Sequence, residues 1–285
     1  MSDYVLKGIT HDQQIIIYAV EAKKTVQTAI DLHYLSITAA VTLGRLLISG
    51  LLMSAGLKHE EDLLTLRIDG DGPLGTVVVT ATGANTVRGY IKNPQTELAK
   101  NEKGIAVAEA IGKGFLSVIR SIGEQHPYTG QVELISGEIG EDLCYYYHQS
   151  EQLETVINLG LLIEKDAQIR QAGGFLLQVL PGASAKVLEE IKDHLRLFPN
   201  LSDYMDMGFS IETILAQNIL PGISHTILEV KPVSYRCNCN RERFLRSIKL
   251  LSPDEIQALR ENQEPITAEC HFCNQKFVFQ SDEFE

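Results

Sequence analysis

Four of the five cysteines in this 285-residue chain crowd into its last fifth, as Cys237-Asn238-Cys239 and Cys270-His271-Phe272-Cys273. Thirty residues (240 through 269) separate the CxC pair from the CxxC pair. Tetrahedral zinc takes four soft ligands, and two short turns that each present two thiolates supply them. The spacing predicts one zinc site built from Cys237, Cys239, Cys270 and Cys273. The run CHFCNQKF resembles a zinc knuckle, a turn between two thiolates followed by a lysine and an aromatic entering a strand. His271 lies inside that turn and, with four thiolates available, is not expected to be a ligand. Asn240 would cap a helix beside Cys239, and Arg236, Arg241, Arg243 and Lys276 lie close in sequence. A helix N-terminus and nearby cations both favour thiolate over thiol.

The spacing leaves three readings open. Most four-cysteine sites inside cells are structural, so a zinc site that never reacts is the plainest. The CxC pair favours a redox-active centre, because adjacent-but-one thiols can close a small, strained disulfide of the labile, regulatory kind. A thioredoxin-like oxidoreductase is the third. Its CxxC would sit between a strand and a helix, whereas Cys273 leads into the strand-like Lys276-Phe277-Val278-Phe279.

Other candidates take plainer readings. Gly70-x-Gly72-x-x-Gly75 spells a dinucleotide fingerprint, but Pro73 interrupts it, a strand follows it, and Asp69 and Asp71 would repel a pyrophosphate. It reads as a turn. Cys144, on the apolar side of a predicted helix, reads as an inert core thiol. His33, His126 and His148 have no partner evident in sequence and read as structural. With no Ser-His-Asp order, paired-carboxylate motif or phosphate loop, the chain does not read as an enzyme.

These thiols need elements to position them, and the composition allows for those. Hydrophobic residues at 44% and charged residues at 22% are globular values, and 285 residues leave room for more than one domain. A net charge of -12 repels phosphate, which argues against nucleic acid as a partner. Met1 to Thr10 shows no basic segment leading into an apolar run, so no signal peptide is expected. Closely spaced thiols then suit a cytoplasmic protein holding metal or doing redox chemistry. Leu35 to Leu57 is apolar enough to span a bilayer, yet Arg45 sits near its centre among Ser and Thr. A helix buried on all sides of a soluble core is the expected form, with no membrane partner.

The first part of the chain reads as mixed α and β. Leu64 to Ile68 and Thr76 to Thr82 flank turn residues as a hairpin would. Val87 to Ile91, Gly130 to Ile135, Ile157 to Ile163 and Phe175 to Leu180 are further strand candidates, and Glu138 to Gln152 reads as a helix. After Pro181-Gly182 come short amphipathic helices from Ala183 to Leu220, interrupted at Pro199 and Gly208. One carries Val187, Leu188, Ile191 and Leu195. Another carries Ile211, Ile214 and Leu215 behind a candidate cap, Ser210. Helices this short rely on docking, so the segment is a candidate for conditional folding. In the cysteine region, Ser252-Pro253-Asp254-Glu255 has the form of a capping box, Pro265 would end its helix, and Gln275 to Gln280 reads as a strand.

Stretches along the whole chain also resemble one family. GDGPLG at 70–75, GQVELISGEIGEDLCYYYHQSEQ at 130–152 and AGGFLLQVLPG at 172–182, closed by CNC and CHFC in that order, resemble the heat-shock protein 33 family of 33-kDa redox-regulated chaperonins. That family's pattern does not require Cys144. The resemblance implies an α+β fold: a core of β-strands packed around a buried central helix (1–180), a helical metastable linker (181–232) and a small C-terminal zinc-binding domain (233–285). Family members are inactive while reduced and zinc-bound. On oxidation they release zinc and bind unfolding proteins without ATP, usually as homodimers. By that pattern Cys237 would pair with Cys239 and Cys270 with Cys273.

The residues allow a physical account of such a switch. About fifty residues after Pro232 cannot bury much surface, and domains that small usually need a metal or a staple. Structural zinc supplies about 10–16 kcal/mol of folding free energy, so its loss should unfold the module. The short helices from Ala183 to Leu220 would then lose a neighbour and expose apolar faces as client-binding surface. The rival classes are a zinc-module nucleic-acid binder and a thiol oxidoreductase.

Overall fold

Two sheets close over one helix in the first of two units. The computed structural model describes residues 2–101, 104–123, 126–252, 254–257, 265–280 and 283. The units are Met1–Tyr235 and Arg236–Glu285. In the first, α1 (Lys23–His33) leads into α2 (Ile37–Ser54), the apolar run. Ser36 caps α2 by accepting from the Ala39 amide at 3.2 Å. This helix is long and apolar enough to cross a membrane, yet 89% of it is buried inside the unit. The charge that argued against a bilayer, Arg45, meets Glu138 at 2.6 Å.

One sheet holds β1 (Tyr4–Thr10), β2 (Ile15–Glu21), β8 (Thr155–Ile163), β9 (Ile169–Val179) and β10 (His225–Pro232), in the order β10-β1-β2-β9-β8. The other holds β3 (Leu63–Gly70), β4 (Thr76–Thr82), β5 (Thr86–Ile91), β6 (Gly114–Ser121), β7 (Tyr128–Glu133) and β11 (Ser234–Tyr235), in the order β11-β5-β4-β3-β6-β7. Leu43, Leu46, Leu47, Leu51 and Leu52 of α2 join Val20, Leu66, Val79 and Leu176 from the sheets in one buried cluster. The predicted hairpin pairs Leu63 with Thr82 through to Asp69 with Thr76. Its turn needs glycine at Gly70, where a Cβ would lie 2.0 Å from the carbonyl of Ile111 at the end of α3 (Val107–Ile111). The GxGxxG run is therefore a close-packed turn between strands. The helix expected from Glu138 is α4 (Ile139–Tyr146), which widens into a π-helical turn over Tyr147–Glu151.

The outer face of the first sheet presents Leu6, Ile15, Ile17, Ala19, Phe175 and Leu177, none left in contact with water. What covers it is the segment of short helices: α5 (Ala185–Leu197), α6 (Leu201–Asp206) and α7 (Ile211–Ile214), the last continued by a π turn over Leu215–Ile219. Ser210 caps α7, accepting from the Thr213 amide at 3.3 Å. The apolar stripes read from sequence are the docking faces: Ile191, Ile211, Ile214 and Leu215 are buried, and Val187 and Leu195 pack beside them. The wider stretch expected as a helical linker (181–232) also contains β10, which the sequence reading lacks. Every residue of HTILEVKP is at least partly exposed, so the strand carries no alternation to read.

Polar contacts also fasten this cover, Arg170 pairing with Asp206 and Gln171 donating to the Met205 carbonyl at 3.2 Å. Tyr4 donates its hydroxyl proton to Glu212 Oε2 at 2.9 Å, and the Ile211 amide donates to Glu21 Oε1 at 3.2 Å. Burial, and then Glu212, push the Tyr4 hydroxyl above its ordinary pKa, so it stays a donor at any physiological pH. Tyr4→Phe should loosen α7 by about 1 kcal/mol, the usual net worth of such a bond. Amide exchange over 211–219 would then quicken roughly fivefold. Unchanged exchange would show that Glu212 contributes nothing to docking.

The second unit holds α8 (Arg241–Ile248) and a hairpin of β12 (Ile266–Glu269) and β13 (Lys276–Phe279), paired from Ile266–Phe279 to Glu269–Lys276. Asn240 caps α8 as expected, accepting from the Arg243 amide at 2.9 Å. Ser252 and Glu255 make the reciprocal capping-box bonds, at 3.3 and 2.9 Å, ahead of helical residues 254–257. Pro253 of that box, and the stretch in which the helix was expected to end before Pro265, lie outside the described residues. Among the described residues the unit's core is small: Ile248 and Phe279 are buried, with six partly buried apolar neighbours that include Phe244 and Phe277.

Candidate metal centre

Cys270 follows directly on β12, and Cys273 stands three residues before β13. The turn between them is set by the main chain. The Cys273 and Asn274 amides both donate to the Cys270 carbonyl, at 3.2 and 2.7 Å, and the Cys270 amide donates to Gln275 O at 3.0 Å. Asn274 takes the left-handed conformation this reversal needs, at φ 56°, which asparagine tolerates better than most residues. Cys237 and Cys239 lie on the strap leading into α8. Arg243 reaches back from the first turn of α8 to Asn238 Oδ1 at 3.2 Å and holds the CxC turn.

The fold brings the four predicted sulfurs into one cluster, all within 4.8 Å of one another. Cys237 and Cys270 are 3.7 Å apart, and Cys239 and Cys273 are 3.4 Å apart. A tetrahedron with Zn–S bonds of about 2.3 Å has edges of about 3.8 Å, so the cluster has the size of a zinc–thiolate site. His271 is exposed and lies outside the group, as expected.

Electrostatics explain why such a cluster wants a cation. Burial opposes ionisation at Cys237, but the Cys239 amide and the neighbouring thiols outweigh it, and its pKa is lowered. Cys239 is pushed the other way by burial and then by the sulfurs around it, and Cys273 by burial above all, against the Gln275 amide. Burial and like-charge repulsion thus oppose four thiolates at this spacing, and a divalent cation at their centre reverses the balance. Three of the four cations expected to help, Arg241, Arg243 and Lys276, are otherwise engaged. Arg241 pairs with Glu283 at 2.6 Å and stacks 4.6 Å from the Phe279 ring centre, and Lys276 faces Glu269 at 3.6 Å. They brace the unit instead. The sequence reading missed Asn238, Asn274 and Gln275 as shaping residues, although their places within and just after the cysteine pairs could have marked them.

The remaining candidates fall elsewhere. Cys144 belongs to the first unit, outside the cluster, and burial pushes its thiol up to about 11, eased in part by the Ile157 amide. A thiol that far from ionisation reacts slowly with oxidants. Cys144→Ala should leave zinc content and redox response unchanged, and a change in either would mean this thiol takes part. His33 is buried with Nε2 3.3 Å from the Tyr235 hydroxyl, which in turn donates to the Gly89 carbonyl at 3.0 Å. His148 meets Glu154 at 3.0 Å on the surface.

A family model described as Hsp33 protein matches residues 3–280. A 33 kDa chaperonin of a Geobacillus species is 40% identical over 287 residues, which span 100% of this chain and 97% of the relative. A 33 kDa chaperonin of Limosilactobacillus fermentum is 40% identical over 288 residues, with 100% and 98% covered. The crystal structure of a 33 kDa chaperonin (heat shock protein 33 homolog) from Thermotoga maritima superposes with a TM-score of 0.91 at 33% identity, covering 100% of this chain and 97% of that one.

Proposed function

The chain belongs to the Hsp33 protein family, and from that premise we propose that it is an ATP-independent holdase chaperone switched by its four-cysteine zinc centre. The observation that carries the proposal is the cluster of four sulfurs within 4.8 Å, set in a unit whose apolar cluster, among the described residues, has Ile248 and Phe279 buried at its centre. Zinc held by Cys237, Cys239, Cys270 and Cys273 supplies the folding free energy that this small core lacks. An oxidant such as a peroxide takes two electrons from each of two thiolate pairs, and zinc leaves as the ligands become disulfides. We assign the pairs as Cys237 with Cys239 and Cys270 with Cys273, following the family resemblance.

The chain divides in this reading into a core (1–180), a metastable linker (181–232) and a zinc-binding redox module (233–285). The linker covers Leu6, Ile15, Ile17, Phe175 and Leu177, so its release uncovers a continuous apolar face of the kind that binds unfolding protein. The protein is then no enzyme. It works in the cytoplasm on oxidatively damaged or unfolded clients, as a homodimer once oxidised, with neither nucleic acid nor membrane as partner.

Light scattering tests the switch. Oxidised protein should hold a thermally unfolding client in solution at near-stoichiometric amounts, and reduced zinc-loaded protein should not. Equal protection in both states would remove the switch and leave the zinc structural. Turnover of a dithiol substrate, or salt-dependent binding of RNA, would favour the rival classes.

A further inference from the structure

The two outer strands of the first sheet, β10 and β8, differ in their side chains. Each ladder has one irregularity, between Lys7 and Gly8 for β10 and between Leu162 and Ile163 for β8, but the sequence of β10, HTILEVKP, also carries Glu229, Lys231 and Pro232. Charges and proline are usual devices that stop an edge from pairing. β8 has neither charge nor proline in its nine residues, TVINLGLLI.

Its main chain is free to pair. The Val179 amide donates to the Glu154 carbonyl at 2.9 Å, which sets the alternation of the β8–β9 ladder. Counting by twos, Val156, Asn158 and Gly160 bond to β9, and Ile157, Leu159 and Leu161 turn their N–H and C=O groups away from the sheet. The Cys144 sulfur faces the Ile157 amide. Among the described residues, the outward main chain of Leu159 and Leu161 makes no hydrogen bond. Alongside runs an open groove of about 570 Å³, walled by Glu138 and Glu141 at the start of α4 on one side and by Asn200 and Ser202 at the start of α6 on the other.

We infer that this groove takes an extended segment of unfolded polypeptide, which adds to the sheet as a sixth strand beside β8. Outward donors and acceptors recurring at roughly 6.8 Å, two residues of strand, match the main chain of another strand. Ile157, Leu159, Leu161 and Ile163 already pack their side chains against the core, so the edge reads backbone and tolerates any sequence that can extend. The α4 wall beside the edge disfavours the helix-flanked edge of a second copy. Release of the linker would take away the α6 wall, which now lies so close that a Cβ on Gly160 would come 2.8 Å from the Ser202 amide. This site deepens the holdase reading and rests on it.

The test uses the full-length oxidised chain and, as probe, a reduced and alkylated protein that stays unfolded. On binding, amide exchange over 157–163 should slow about tenfold, the effect of one new hydrogen bond per outward amide. Leu159→Pro removes an outward donor without breaking the ladder to β9, and Leu159→Ala is its control for lost side-chain packing. The proline variant should bind the probe about tenfold more weakly than the alanine variant. Binding with 157–163 unprotected and the two variants equal overturns the edge site and leaves the holdase reading standing. Failure of the oxidised wild type to bind the probe overturns both. Should Leu159→Pro not fold, exchange in the wild type decides alone.

Discussion

Stripping zinc from the reduced protein is expected to unfold residues 236–285 while β2, β9 and α2 keep their protection. The reason is the size of the second core. Among the described residues its apolar cluster has only Ile248 and Phe279 buried, with Phe244, Leu245, Ile256, Ile266, Ala268 and Phe277 packed partly around them. Fifty residues with so little apolar burial fall in the range where a metal normally completes the fold. A structural zinc site supplies about 10–16 kcal/mol, more than such a core could replace. The α2 core, with its leucines between two sheets, has no such dependence. Acid should act as chelation does. Zinc binds thiolates, so each fall in pH raises proton competition at the four sulfurs and lowers the metal's affinity. Metal analysis with hydrogen exchange checks both routes, and Cys270→Ser with Cys273→Ser should reproduce them without chelator. Protection of 265–280 in the metal-free protein would show that the hairpin stands by itself. Zinc kept at full affinity by the double variant would remove the four-thiolate assignment.

The elements around this centre differ in how openly they announce themselves. The four-cysteine cluster was legible because thiol chemistry depends on residue type and local spacing, both visible in one dimension. α2 was legible because its apolar run is long and its one charge sits where no bilayer would hold it. The hairpin of β3 and β4 announced itself through Gly70 and Gly72. β1 and β2 did not. YVLKGIT and IIIYAVE pack against α2 on one face and the linker helices on the other, so hardly any alternation survives in them. The π-helical turns after α4 and α7 cannot be told from α-helix by spacing, since one extra residue in a turn shifts a stripe only slightly. At the metal centre, the bracing of Asn238 by Arg243 depends on the fold of α8 over the CxC turn. That Arg241 and Lys276 would meet Glu283 and Glu269 rather than thiolates depends on the geometry of β13, which the local charge pattern does not express.

Ile214→Asp is expected to make the reduced, zinc-loaded protein an active holdase without any oxidant. Ile214 is fully buried between α7 and the sheet face formed by Leu6, Ile15, Ile17 and Phe175. Truncating such a residue costs about 2–5 kcal/mol, and a carboxylate in its place adds the penalty of a buried, unpaired charge. The linker helices cannot absorb that loss. α6 and α7 span six and four residues, Pro199 and Gly208 interrupt the segment, and isolated helices of this length do not persist in water. Undocking is the cheapest response, since it returns the carboxylate to solvent and leaves the α2 core intact. Zinc content should stay at one per chain, because the substitution lies in the other unit. Protection over 186–220 should collapse, and suppression of aggregation should rise toward that of the oxidised wild type, with Ile214→Ala between the two. For the wild type the same logic predicts that oxidant with mild heat outperforms oxidant alone, since warming weakens what docking remains. Collapse of protection without holdase activity would place the client surface away from the uncovered sheet. Activity with 186–220 still protected would show that clients bind with the linker in place.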